Sequence, residues 1–326
     1  MRSEELERFN GLKALVVGDV MIDAYTKGVV ERMSPEAPVP IVNLKERFER
    51  LGGAANVALN LKALGAEPMV CSIIGDDEAG KRLIQLMKDQ GLEVSGLVSS
   101  NRRKTTVKHR VLDGFRQLLR IDEEDTFDLA EVEQSILTLL VKRTLEEQSV
   151  DVVVLQDYNK GVLTETLIQN IIALCRERNI PVVVDPKKKN FFAYQGTTLF
   201  KPNAKELREG LGVIVETLEE LQAAMLQLKE RIGCKYLMVT LSDKGVMIMD
   251  DGGFHHLPAH PREIVDVSGA GDTVLSVAAL SVALGLDAVD VAQLSNIAGG
   301  LVCEEIGVVP IDKKRFAEEV KRICHE

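Results

Sequence analysis

None of the five cysteines in this chain (71, 175, 234, 303 and 324) stands in a C-x-x-C pair, and their number is odd. Zinc fingers and disulfide frameworks both need paired spacing, so neither is expected. Most of these cysteines lie in apolar segments, which predicts small buried side chains in a reducing compartment. No apolar run approaches the roughly 20 residues that a membrane helix needs. The opening MRSEELERFN has no signal-peptide core, and a cytoplasmic address is expected. Positive charge is in short supply: 40 Lys and Arg face 50 Asp and Glu, a formal net charge of −10. That balance argues against nucleic acid or an anionic membrane as partner. Motifs are missing too. Neither G-x-S-x-G nor H-E-x-x-H occurs, which removes two hydrolase classes. The first apolar run leads into GDVMID rather than G-x-G-x-x-G, so a dinucleotide fold has little support.

What is present is a 326-residue chain, 45% hydrophobic, with strands and helices in alternation. LKALVV (12–17) and PMVCSIIG (68–75) read as buried strands, and ANVALNLKALGA (55–66) and DEAGKRLIQLMKDQG (77–91) have helical spacing. Further on come strand VDVVVLQ, helix TETLIQNIIALCRER, strand IPVVVDP, the stretch GTTLFKPN, a helix pair over 203–231 and strand KYLMVTL. This order predicts an α/β fold with a largely parallel sheet covered on both faces. Ligands of such sheets bind at the carboxyl ends of the strands, which singles out Asp19, Asp157, Asp185, Asn203 and Ser242. Residues 20–51 and 101–122 break the alternation with charged, period-two pieces such as PIVNLKERFERL and KTTVKHRVL. They read as antiparallel strands forming a small flap outside the main sheet. The expectation is one domain over 1–326 with a lid.

Two stretches invite a functional reading and do not sustain it. GDDEAGK (75–81) resembles a P-loop, but Arg82 stands where a hydroxyl should hold magnesium, and three acidic residues would repel phosphate. A polar helix start explains it better. The histidines of HHLPAH (255–260) follow the alternation of a surface strand rather than a metal site.

DVSGAGDTV (266–274) is different. A helix that starts after SGAG presents unpaired backbone N–H groups and the positive end of its dipole. Gly269, Ala270 and Gly271 can therefore hold an anion without any lysine. Asp272 is then free to accept a proton from an attacking hydroxyl. Upstream, LGGAANVALNLKALGA places Gly52 and Gly53 before a helix with Asn56 in its first turn. Together with Asp19 and Asp23, these residues make a site for a polyol, whose hydroxyls want carboxylate and amide partners.

On these two patterns the sequence resembles the ribokinase-like carbohydrate kinases, the PfkB family, over essentially its whole length. Gly52, Gly53, Ala54, Asn56, Ala58, Gly65 and Gly75 match the N-terminal pattern and 266–272 the C-terminal one; Val277 departs from the usual Ala or Gly. The resemblance implies a three-layer sandwich with a β-strand lid, ATP and Mg2+ as cofactors, and Asp272 as general base beside the 269–271 amides. KPNAKE looks like the family's N-x-x-E element, which implies Asn203 and Glu206 near magnesium, Glu206 partly through water. TLSDKG implicates Thr240, Ser242 and Gly245 in nucleotide binding, and Asn296 falls beside the adenine pocket.

Finer segments, among them GDVMIDAY, RMSPEAPVPIV, LLRIDEED, DYNKG and DPKKKNF, are similar to the kinase part of ADP-heptose synthesis enzymes of lipopolysaccharide assembly. That similarity implies phosphorylation of the anomeric hydroxyl of D-glycero-D-manno-heptose 7-phosphate. A fructokinase or ribokinase specificity is the alternative. A sugar phosphate needs cations at its far end. Lys108, Arg110, Arg116 and Arg120 on the flap, with Lys160 beside Asp157 and Lys187 (the last counted with the nucleotide side), are the candidates. The resemblance also implies a homodimer through the lid. With no H-x-G-H motif before Glu326, it implies a separate nucleotidyltransferase downstream.

Overall fold

The computed structural model describes residues 4–324; residues 1–3 and 325–326, the two ends of the expected 1–326 unit, lie outside the described residues. A short helix α1 (Glu4–Glu7) leads to strand β1 (Lys13–Gly18), the long strands β2 (Val20–Met33) and β3 (Pro40–Gly53), helix α2 (Ala54–Ala63) and strand β4 (Glu67–Gly75). Helix α3 (Glu78–Asp89) is followed by β5 (Leu97–Ser100), β6 (Thr106–Asp113), β7 (Arg116–Glu123), helix α4 (Glu131–Glu147), β8 (Val152–Gln156), α5 (Glu165–Glu177) and β9 (Val182–Asp185). The rest is β10 (Leu199–Phe200), α6 (Ala204–Leu211), α7 (Leu218–Ile232), β11 (Tyr236–Thr240), β12 (Val246–Asp250), β13 (Gly253–Leu257), α8 (Ala270–Ala283), α9 (Ala288–Val302) and α10 (Lys313–Cys324). GDDEAGK is a polar helix start: the Asp77 carboxylate caps α3 by accepting from the Gly80 N–H at 2.7 Å.

Among the described residues the main sheet has nine strands, in the order β13-β12-β11-β10-β9-β8-β1-β4-β5. Only β12 runs against the others; it pairs antiparallel with β11 on one side and with the edge strand β13 on the other. Successive residues of β1 feed opposite faces. Ala14 and Val16 join one core with α2, α8 and α9, while Leu15 and Val17 join the other with α4, α5 and α7. Both faces are therefore dry, as the continuous apolar strand runs require. The protein is a three-layer α/β fold. Cys71, Cys175, Cys234 and Cys303 are buried, and no helix among the described residues is long and apolar enough to cross a membrane.

A second sheet, β3-β2-β6-β7, rises from the carboxyl end of β1, because β2 begins one residue after Asp19. The sequence predicts antiparallel pairing throughout. The structure keeps it for β2–β3 and β6–β7, but β2 and β6 are parallel. Period-two patterning marks a strand and says nothing about its neighbour's direction. Direction is set by the connection, and the chain passes through α2, β4, α3 and β5 before returning as β6.

Candidate active site

Strand order reverses between β1 and β8, and open α/β sheets hold ligands at such a point, beyond the strands' carboxyl ends. Asp19 and Asp157 follow these two strands and are buried. Asp19 accepts from the backbone N–H groups of Tyr158 (2.7 Å), Lys160 (3.1 Å) and Val162 (3.2 Å). Both of its oxygens thus shape the loop after β8. Burial raises its pKa, and the three amides pull it partly back. Asp157 accepts from the Asn159 N–H (2.7 Å) and the Tyr194 hydroxyl (2.8 Å), and burial beside Asp19 lifts its carboxyl to about 6. On the second sheet, Asp23 pairs with the Arg110 guanidinium. A Cβ on Gly52 would come within 2.2 Å of Asp23 Oδ2, so glycine there makes room for the carboxylate. Lys108, opposite Asp23 in register, lies with its ammonium 4.8 Å from the centre of the Tyr158 ring. Lys160 pairs with Glu124 at 2.7 Å.

Gly269 is the N-cap of α8, with φ 82°, a left-handed conformation suited to glycine. The first bond within the helix runs from the Thr273 N–H to the Gly269 carbonyl, at 3.1 Å. The Gly271 and Asp272 amides, ahead of it, have no acceptor inside the helix. The Ala270 amide donates to the Val267 carbonyl at 3.3 Å, so it is the least open of the first-turn amides. The Asp272 side chain points into the protein, with the residue 2% exposed. It accepts from Asn56 Nδ2 (2.8 Å), the Tyr158 hydroxyl (2.8 Å) and Gln156 Nε2 (3.2 Å). Burial pushes its pKa to about 6 against the pull of the Asn56 and Tyr158 hydrogen bonds. The two glycine motifs, distant in sequence, thus meet through the Asn56–Asp272 bond.

The candidates on the nucleotide side lie along the other half of the sheet. Asn203 and Glu206 form a capping box on α6: Asn203 Oδ1 accepts from the Glu206 N–H, and Glu206 Oε2 from the Asn203 N–H, both at 2.8 Å. The other Glu206 oxygen pairs with Lys187, which also reaches Asp185 Oδ1 at 3.3 Å. Buried Lys201 holds Asp185 Oδ2 at 2.9 Å. Burial would raise Asp185, but the two ammonium groups outweigh it and keep the carboxyl below its usual range. The cluster sits beside the α8 turn, since a Cβ on Gly271 would be 3.8 Å from Asp185 Oδ2. Thr240 ends β11 in a bridge to Asn203. Ser242 and Gly245 form the tight turn into β12, with Gly245 N–H donating to the Ser242 carbonyl at 3.1 Å. Asn296, on α9, donates to the Pro258 carbonyl at 2.9 Å and so fixes the turn after β13. Gly53 hands β3 directly to α2.

Three buried or half-buried contributors were not singled out from the sequence. Tyr158 and Gln156 flank the strand end already marked by Asp157, and Lys201 opens the KPNAKE element. Their proximity to flagged residues was the available signal; their contacts depend on α8 and β9 arriving from elsewhere in the chain.

Comparison with known proteins shows the family. The sequence pattern described as "pfkB family carbohydrate kinase" matches residues 12–314. The bifunctional protein HldE of Methylobacillus flagellatus is 42% identical over 307 residues, covering 94% of this chain and 63% of its own length. HldE of Citrifermentans bemidjiense is 40% identical, with 96% of this chain and 64% of its own length covered. The chain thus spans a little under two thirds of these curated relatives. Among solved structures, phosphofructokinase-2 of Escherichia coli in complex with potassium superposes with a TM-score of 0.79 at 17% identity, over 97% of this chain and 100% of that one. Arabidopsis thaliana ribokinase complexed with ribose and ATP gives 0.73 at 19%, over 95% and 99%. The chain belongs to the pfkB family of carbohydrate kinases.

Proposed function

We propose that this kinase transfers the γ-phosphoryl group of ATP to the anomeric hydroxyl of D-glycero-D-manno-heptose 7-phosphate, a cytoplasmic step toward ADP-heptose and the lipopolysaccharide core. The observation carrying this reading is the set of cations around the β1 and β8 strand ends of an acidic chain: Lys108 above Tyr158, Lys160 on Glu124 and Arg110 on Asp23. Such groups suit the far phosphate of a sugar phosphate. The similarity to HldE proteins favours the same reading over a fructokinase or ribokinase specificity. An assay of ADP release, screened over phosphorylated and free sugars, tests it. Faster turnover of a free hexose or pentose would overturn it.

In this reading the sugar lies between the second sheet, acting as a lid, and the β1/β8 strand ends. Asp272 takes the proton from the attacking hydroxyl, and the open amides of the α8 turn receive the transferring phosphoryl group. The turn fits a phosphate: it carries no bulky side chain, and Gly271 is exposed. The Asp185–Lys187–Glu206 cluster beside it offers hard oxygens to hydrated magnesium delivered with the nucleotide, which would neutralise phosphate charge. Glu206→Gln keeps the cap on α6, because an amide oxygen still accepts from Asn203. It is expected to raise the magnesium concentration needed for half-maximal rate while leaving sugar KM nearly unchanged. A large KM change with an unaltered magnesium requirement would move Glu206 to the sugar side.

The second sheet leaves β3 and β7 as edges and exposes Met33, Phe115, Leu119 and Ile121. Exposed edges of this kind invite pairing, which supports a homodimer through the lid. Light scattering at tens of micromolar is expected to give twice the chain mass; a fully active monomer would overturn the arrangement.

A further inference from the structure

A carboxylate offers about four lone pairs, and among the described residues three of those on Asp272 are taken. Oδ1 accepts from the Tyr158 hydroxyl (2.8 Å) and from Gln156 (3.2 Å), whereas Oδ2 accepts only from Asn56 (2.8 Å). The remaining lone pair is therefore on Oδ2. Tyr158 makes the shorter of the two bonds to Oδ1, and its position is fixed from several directions. Its backbone N–H is held by Asp19 at 2.7 Å. Its ring lies 4.8 Å from the Lys108 ammonium on the second sheet and 5.4 Å from the Lys187 ammonium after β9.

We infer that Tyr158 is a positioning residue for phosphoryl transfer: it occupies Oδ1 of Asp272, so that Oδ2 is the atom that takes the sugar's proton, and its hydroxyl donates to the charged form of that base. This rests on Asp272 being the base. Tyr158 is suited to donate and not to accept, because burial and the Asp272 and Asp185 carboxylates push its phenol well above the ordinary value. The other groups acting on Asp272 pull in known directions. Burial, Asp185 and Asp23 favour the protonated acid, and Asn56 joins Tyr158 in favouring the carboxylate. Asp185 is itself offset by Lys187 and Lys201, and Asp23 by Arg110. Removing the phenolic donor therefore leaves burial less opposed.

Tyr158→Phe keeps the ring between its two lysines and removes only the hydroxyl. A hydrogen bond to a charged group corresponds to roughly one to two pKa units. The acid limb of the kcat–pH profile is accordingly expected to move up by about that much, while sugar KM changes little. 3-Fluorotyrosine placed at position 158 alone is a stronger donor and is expected to move the limb down. Opposite shifts in the two proteins establish the role. If the limb stays in place in both, Tyr158 only packs and the inference is overturned. Should the phenylalanine variant not fold by circular dichroism, the fluorotyrosine protein decides alone. Near-normal turnover in Asp272→Asn would instead remove the base assignment, so the two failures are distinguishable.

Discussion

Asp272→Asn is expected to leave the fold and ATP binding nearly intact and to lower turnover by about 10²–10⁴-fold, the usual loss when a general base is removed. The amide is close in size to the carboxylate and can still accept from Tyr158 and Gln156, the partners of Oδ1. It cannot take the proton. The same substitution carries a stability signature. Burial raises the Asp272 pKa from 3.8 to about 6. Between those values the folded chain keeps a proton that the unfolded chain gives up, so stability falls as pH rises through this window and the deficit persists above it. Asp272→Asn has no such deficit and is expected to melt at the same temperature as the unmodified protein at pH 7, or above it. For the unmodified enzyme, kcat/KM is expected to fall about tenfold per unit below roughly pH 6. Turnover within about threefold of normal in Asp272→Asn would remove Asp272 from its role.

The second large effect concerns the far phosphate of the proposed substrate. Lys160→Met and Lys108→Met are each expected to weaken use of heptose 7-phosphate by about 10–100-fold, the equivalent of one charge-assisted hydrogen bond. Use of free heptose should barely change, because it lacks the contact. Arg110→Gln behaves differently. It strands Asp23, its buried partner on β2, so both sugars should suffer. This contrast separates phosphate recognition from scaffolding of the sugar site. Equal losses on both sugars for Lys160 and Lys108 would leave the heptose-phosphate reading without its physical support.

The alternation of apolar strands and amphipathic helices made the three-layer fold legible, since burial on both faces leaves continuous Val and Leu runs such as β8 and β9. Gly269 through Asp272 and Gly52 through Asn56 were legible as local devices, each a glycine turn opening a helix. Their meeting was only an expectation until the Asn56–Asp272 bond placed them together. Tyr158 could not be weighted from sequence, because a tyrosine after a strand gains its role from a carboxylate in α8, far along the chain. The cations illustrate the same limit. Lys160 and Arg110 read in sequence as candidate cations for a sugar phosphate and Lys187 as one for the nucleotide, yet each has a carboxylate partner supplied by another element. The parallel β2–β6 pairing was hidden because alternation is blind to direction.

That pairing has a consequence for how the molecule is built during synthesis. β2 and β3 can zip as a hairpin as soon as they emerge, but the inner seam with β6 must wait until α2, β4, α3 and β5 have been made and have turned the chain around. Contacts this far apart in sequence form slowly. Until then, the β2 edge that β6 will cover is open to other nascent chains. Pulse-labelled hydrogen exchange during refolding is expected to protect the amides that pair β2 with β3 before those at the β2–β6 seam, so the second sheet takes shape in two stages.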